Sequence, residues 1–210
     1  MTDPFDQPDQ PDDPLRPREA EILGRIRDTF VEKGFDGASM QQLARAAGMS
    51  VGNFYRYFPS KAAMVKAMIR RDLREVEEKF AEVLRAPDPL VALRCGLHSR
   101  IAEEGCDDGT LWAEINAAAA RKPELAAVVD GMECCVFGHL LTTFARITGF
   151  GPEETARRFT THAAVAVMLV NAVALQRKTG GAAPQDEIVR MIQRLTDVLL
   201  DEVASARAGE

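Results

Sequence analysis

The sequence lacks most features that would commit it to a membrane, an oxidising compartment or catalysis. Its longest apolar stretch, AAVAVMLVNAVAL, covers only residues 163–175, against the roughly 20 residues needed to cross a bilayer as a helix. A transmembrane protein is therefore not expected. The amino terminus is acidic and proline-rich and has neither the basic start nor the apolar stretch of a signal peptide, which predicts a cytoplasmic chain with no membrane partner. Only four cysteines occur, Cys95, Cys106, Cys134 and Cys135, with no CxxC and no paired metal-ligand spacing, so they read as reduced thiols of a cytosolic protein. Adjacent Cys134 and Cys135 are poorly placed for a low-strain disulfide and read as small core residues; whether they sense anything stays open. The three histidines, His98, His139 and His162, fall on separate predicted helices in apolar settings, without the convergence a metal site needs. No nucleophile stands beside a base and no glycine-rich loop is built for phosphate, so neither an enzyme nor a cofactor is expected. Positive charge is also short: 26 basic residues against 32 acidic ones give a net charge of −6, which argues against binding nucleic acid by bulk charge.

What is present suffices for a core. Of 210 residues, 46% are hydrophobic, enough for one large domain or two small ones. The first 17 residues, MTDPFDQPDQPDDPLRP, carry five prolines and almost nothing that packs; they read as a disordered acidic tail. From about Arg18 apolar residues recur at three and four, the helical period, and the fold class expected is all-α with about nine helices. Ile22, Leu23, Ile26 and Phe30 form one face of a first helix, which Gly34 ends. Ser39 and Gln42 make an S-x-x-Q capping box for a short second helix with Leu43, Ala46 and Ala47 on its apolar side, and Gly48 breaks it. Ser50 caps a third helix from Val51 to about Tyr57, Pro59 with Ser60 opens the fourth, and the Ala86–Pro89 break closes it. Further helices are expected at about 89–104, 110–121, 123–148, 152–178 and 184–206. Pro123, Pro152 and Pro184 sit in first turns with acids close behind, and Gly105, Asp107–Gly109, Gly149–Gly151 and Gly180–Gly181 supply turns.

Charge divides the chain unevenly. Residues 1–15 hold five acids and no base, residues 16–71 hold 11 bases and 5 acids, and residues 72–210 hold 15 and 22. The one basic segment is the one with short helices, and two short helices joined by a glycine turn on a supporting helix are the plan of a helix-turn-helix. Within SMQQLARAAGMSVGNFYRYFPSK, residues 39–61, Leu43, Ala44 and Ala47 pack inward and Gly48 makes the turn. Ser50 starts the second helix, and Gly52 lets backbone approach DNA. Asn53 and Arg56 are the natural base-reading or phosphate side chains, Tyr55 and Tyr57 offer hydroxyls, and Lys61 offers a point charge.

The stretch FVEKGFDGASMQQLARAAGMSVGNFYRYFPSKAAMVKAMI, residues 30–69, resembles the amino-terminal domain of the TetR family of bacterial transcriptional regulators. The match lies in the G-F before the second helix, A-x-x-A-G-x-S, F-Y-x-Y-F, and the S-K that opens the fourth helix. Position by position the resemblance implies DNA contacts at Ser39, Gln41, Ser50, Val51, Gly52, Asn53, Tyr55, Arg56, Tyr57 and Lys61. The family often has His where Tyr57 stands, and no basic arm precedes the first helix, so affinity would rest on the helix-turn-helix itself. The resemblance further implies that residues 18–71 form the DNA-binding domain and residues 72–210 a ligand-binding and dimerisation domain, with a homodimer through the last two helices, about 152–178 and 184–206. The expected partners are double-stranded palindromic operator DNA and a small-molecule effector. On the final helix Ile188, Ile192, Leu195 and Leu199 form a stripe widened by Val189, Val198 and Val203, more apolar surface than a peripheral helix needs. The preceding helix shows Phe159, Ala163, Val167, Val170 and Ala174 on one side. Trp112, Met132, Phe137 and Leu140 fit either a pocket or a plain core; with His98 they are the candidates for ligand contact, and the methionine-containing middle helices point to an apolar or aromatic effector. The function expected is a ligand-responsive repressor. The alternatives are an activator, a ligand-independent regulator, or a helical small-molecule-binding protein that no longer uses its DNA-binding domain.

Overall fold

A computed structural model of the chain describes residues 15–102, 108–179 and 184–206. The expected acidic tail (up to Pro14), Cys106 and the turn glycines Gly105, Gly180 and Gly181 lie outside the described residues, as does the side chain of Ala174. Among the described residues there are nine α-helices: α1 (Leu15–Gly37), α2 (Met40–Ala46), α3 (Val51–Tyr57), α4 (Lys61–Arg85), α5 (Pro89–Ala102), α6 (Asp108–Ala119), α7 (Pro123–Thr148), α8 (Pro152–Thr179) and α9 (Gln185–Ser205). The fold is all-α. Helix α1 starts at Leu15 rather than near Arg18, so residues 15–17 of the expected tail are helical. Pro17 is tolerated there because amides in a first turn have no intrahelical partner.

The helices group into two compact units. The first holds described residues 15–72 with 108–132, and the second 73–102 with 133–179 and 184–206. The grouping departs from a division at residue 71 because α6 packs on α1, a pairing of distant segments that leaves no local sign in composition.

In the first unit Ile22, Leu23, Ile26 and Phe30 of α1 are buried. Gly34 breaks the helical path with φ of 69°, and a short turn follows to Gly37. The core of this unit continues through Phe35, Ala38, Leu43, Ala44, Ala47, Phe54, Phe58, Met64 and Val65. Ala46, expected on the apolar side of α2, is exposed; Leu43, Ala44 and Ala47 already fill that face at the helical spacing.

In the second unit α9 packs against α5 and α8. Leu93, Leu140, Phe144, Phe159, Ala163, Leu199, Leu200 and Val203 form the main core cluster, and Ile101, Val173 and Ile192 a smaller one. Phe159 meets Phe144 edge-on with ring centres 6.2 Å apart, and Ala163 and Ala166 let α8 approach its neighbours closely.

Helix α7 is, by length and composition, apolar enough to cross a bilayer, although no apolar run in the sequence suggested one. Core helices pass the same test. Here Leu140 and Phe144 enter the cluster just described, while Asp130, Glu133 and Arg146 are exposed on other faces.

Candidate nucleic-acid interface

Helices α2 and α3 have seven residues each, too short to be stable alone, so their ends must be fixed by other means. Ser39 accepts a hydrogen bond from the Gln42 amide (3.3 Å), and the Gln42 side chain accepts one from the Ser39 amide (3.0 Å). This is the reciprocal box expected from the sequence. Gly48 turns the chain with φ of 68°. A Cβ there would sit 3.3 Å from Arg25 Nη1, the group that donates to the Ala47 carbonyl. Ser50 caps α3 by accepting from the Asn53 amide (3.4 Å), and Ser60 caps α4 by accepting from the Ala63 amide (3.1 Å).

Phe54 and Phe58, one helical turn apart, anchor α3 inward, with ring centres 6.0 Å apart. The remaining positions then face away. Val51, Gly52, Asn53, Tyr55 and Arg56 are exposed and Tyr57 is half-buried; the Tyr55 ring keeps 47% of its surface free. A Cβ at Gly52 would meet nothing within 4 Å, so the backbone there is open to a partner. Ser39 and Gln41 at the start of α2 are exposed as well, as is Ser50. Thus Ser39, Gln41, Ser50, Val51, Gly52, Asn53, Tyr55 and Arg56 all reach solvent from the two short helices and their caps.

Lys61 is placed differently. Its Nζ donates to the carbonyl oxygens of Phe35 (2.5 Å), Asp36 (3.2 Å) and Ala38 (3.0 Å) and lies 4.8 Å from the centre of the Phe35 ring. An ammonium has three N–H donors, and all three are engaged within the protein. Partial burial pushes its pKa below the usual lysine value, Asp36 opposing that and Lys122 adding to it.

Of the residues considered for a ligand, Trp112 and Met132 belong to the first unit, and His98, Phe137 and Leu140 to the second. Phe137 and Leu140 share the main core cluster of the second unit. His98 is not in an apolar setting: its Nε2 lies 2.9 Å from Asp197, which also receives Arg94 at 2.6 Å, and Arg94 reaches Asp201 at 2.5 Å. Burial works against the charge on Asp197, but these partners outweigh it and hold the carboxyl below its ordinary range. His162 lies 3.2 Å from Glu202 and meets the Phe159 ring edge-on at 5.3 Å, and His139 is stacked on Phe80 at 5.2 Å, so these two keep part of the apolar setting expected. Cys134 is exposed rather than buried, and Cys135 is half-buried, because adjacent residues on a helix point about 100° apart and cannot share one inward face.

A capped helix-turn-helix with an anchored second helix and a free outer face, set in an all-α chain, is the architecture of helical DNA-binding proteins. The chain matches, over residues 22–68, the family described as bacterial regulatory proteins, tetR family. It is 29% identical over 114 residues to the HTH-type transcriptional regulator UidR of Escherichia coli (strain K12), an alignment covering 54% of this chain and 58% of that protein. The chain therefore matches little more than half the length of this curated relative. Among solved structures, Salmonella enterica GusR superposes with a TM-score of 0.71 at 24% identity, covering 92% of this chain and 100% of that one. AibR, solved with isovaleryl coenzyme A and operator DNA, gives a TM-score of 0.62 at 19% identity over 85% of this chain and 97% of its own. Both are likenesses of fold.

Proposed function

We propose that the protein is a dimeric, ligand-responsive transcriptional repressor of the bacterial cytoplasm. The observation that carries this reading is the outer face of α3, where Val51, Gly52, Asn53, Tyr55 and Arg56 are exposed on a helix capped by Ser50 and anchored by buried Phe54 and Phe58. In that role α3 lies in the major groove. Asn53, Arg56 and Gln41 reach base edges or phosphates, Tyr55, Tyr57, Ser39 and Ser50 give hydroxyls to phosphates, and Val51 and Gly52 permit close approach. Lys61 acts from behind this surface, since its donors are engaged.

The dimer is supported by an apolar surface on the last two helices. Val165 and Met168 of α8 and Met191, Leu195 and Val198 of α9 are large apolar residues left exposed in the single chain, Met168 by 66%. Large apolar side chains left uncovered on two helices that pack together call for a cover, and a second copy of the same face provides one in a two-fold dimer. Two recognition helices then fall about one DNA turn (roughly 34 Å) or a multiple apart and read a palindrome.

Residues 18–71 carry the DNA contacts and the later helices take the effector, an apolar or aromatic small molecule. AibR offers a precedent in which one chain of this fold takes an acyl coenzyme A and operator DNA. Release of operator by about a hundredfold requires the effector to distinguish the two states by about 2.7 kcal/mol, which is modest for a rotation of rigid units.

Selection of duplexes from random DNA by the purified full-length protein tests the reading. A palindromic consensus retained by the unmodified protein and lost in a Tyr55→Phe, Arg56→Ala, Tyr57→Phe variant is expected. Recovery of no consensus would overturn it.

A further inference from the structure

Residues 39–60, which contain the whole helix-turn-helix, run between two points that are tied together. At the entry stands the turn Phe35–Ala38, and at the exit stands Lys61, the first residue of α4. The Lys61 ammonium joins them by donating to the carbonyls of Phe35, Asp36 and Ala38. The segment that presents α3 is therefore a closed loop, and the geometry of the entry turn bears on the direction in which α3 points.

The same turn is held from the other side by the bend between α6 and α7. Asp36 receives Arg121 Nη2 at 3.0 Å on one carboxylate oxygen and Lys122 Nζ at 3.0 Å on the other. Lys122 also lies 5.8 Å from the centre of the Phe35 ring, on which Lys61 sits at 4.8 Å. Two ammonium groups and a guanidinium thus converge on one short turn, and the Asp36 carboxylate carries the negative charge among them. Immediately before the turn Gly34 adopts φ of 69°, and a Cβ there would come within 2.8 Å of the Glu114 carboxylate of α6. The helix–turn junction is thus fitted to α6 at Gly34 and to the α6–α7 bend at Asp36. Phe35 itself is buried and stacked parallel on Phe30 at 6.0 Å, which leaves the turn little freedom to shift without moving its partners.

We propose that the Phe35–Ala38 turn is a positioning element for operator recognition, with Asp36 as its handle: Arg121 and Lys122 set the turn through Asp36, and Lys61 passes its position to the helix-turn-helix. A displacement of the α6–α7 bend is thereby transmitted to α3 within a single compact unit. The proposal rests on the DNA-binding reading above, and it assigns Asp36, Lys61, Arg121 and Lys122 as positioning residues that need not touch DNA.

The sign of one substitution separates this from a plain surface charge. Asp36→Asn removes a negative charge from a protein that approaches a polyanion, so by charge alone it strengthens binding to every duplex. A positioning role makes the two kinds of duplex part company. Affinity of the full-length dimer for the duplex it selects should fall about tenfold, while affinity for a scrambled duplex of equal length stays level or rises. The paired variant Arg121→Gln, Lys122→Gln, at side chains well clear of the core, should lose about tenfold on the selected duplex and less than about threefold on the scrambled one. Hydrogen exchange without DNA gives a second readout, in which amides of residues 39–57 should exchange faster in Asp36→Asn while those of α8 and α9 keep their protection. Equal shifts on both duplexes in either variant, or unchanged exchange over residues 39–57, would overturn the proposal. If the unmodified protein selects no sequence, the DNA-binding reading fails, and the exchange measurement still decides whether Asp36 holds the helix-turn-helix. If Asp36→Asn fails to fold, the paired variant decides on its own.

Discussion

Helices α3 and α9 both leave a face uncovered, and the two faces are opposite in kind. On α3, seven residues long, the free side chains are Asn53, Tyr55 and Arg56 with the bare backbone of Gly52. On α9, 21 residues long, they include Met191, Leu195 and Val198. The short helix is fixed by caps and two buried rings. The long one is fixed by its own length and by a second apolar face, formed by Ile192, Leu199, Leu200 and Val203, turned into the core. The difference explains why α9 carried more apolar surface than one packing face requires.

A series of substitutions and an acid titration would break or sharpen this contrast. The largest effect is expected at Phe54, whose truncation to Ala should cost about 3–5 kcal/mol in denaturant unfolding, because it is the side chain of α3 buried in the core, its ring packed against Phe58. A loss below about 1 kcal/mol would mean that the caps alone secure α3. Next comes Leu195→Asp with Val198→Asp, which should leave the chain folded by circular dichroism but raise the dimer dissociation constant by at least about a hundredfold in sedimentation; an intact dimer would place the interface elsewhere. Tyr55→Phe with Tyr57→Phe should then weaken operator binding about tenfold with no change in unfolding midpoint, and Arg56→Ala should lower the slope of log affinity against log salt by about 1.

The smallest effect concerns acid. Asp197 titrates below its ordinary value of 3.8, Arg94 and His98 outweighing the cost of burial. A carboxylate whose folded pKa is depressed contributes stability that is complete above its unfolded pKa and is lost as pH falls through the folded one. Stability attributable to the α5–α9 contact should therefore decline below about pH 4, by no more than about 1 kcal/mol for a pair that is only half-buried. Acid unfolding of Asp197→Asn should lack this step. On α8 Glu154, brought down to about 2 by Arg157 and Arg158, titrates lower still and is distinguished by its own Gln variant.

Much of the helix-turn-helix was legible because its determinants are local. The capping box of Ser39 and Gln42, the Ser50 cap and the glycine turns at Gly34 and Gly48 are each set by neighbours within a few residues, and they stand where the sequence places them. The outward set on α3 follows from the same periodicity once Phe54 and Phe58 point inward. What was not legible depends on partners far along the chain. Lys61 was expected to offer its charge to DNA, and nothing local shows that its ammonium also meets carbonyls 23 to 26 residues away. The Asp36–Arg121 pair spans 85 residues and the His98–Asp197 pair 99, so neither the unit that holds α6 nor the polar surroundings of His98 and His162 could be read from spacing. Cys134 was misplaced for a simpler reason, since two adjacent residues were assigned one inward face. The sequence was least informative about the effector, because an apolar residue on a core helix has the same signature whether it touches another side chain or a ligand.

The most direct measurement is the stoichiometry and salt dependence of binding to the selected duplex, against a scrambled duplex of the same composition, by sedimentation of the full-length protein. A complex of an even number of chains per palindrome is predicted, with affinity falling as salt rises and at least about a thousandfold above the scrambled duplex at physiological salt. Equal affinity for the two duplexes, or a complex containing a single chain, would contradict it.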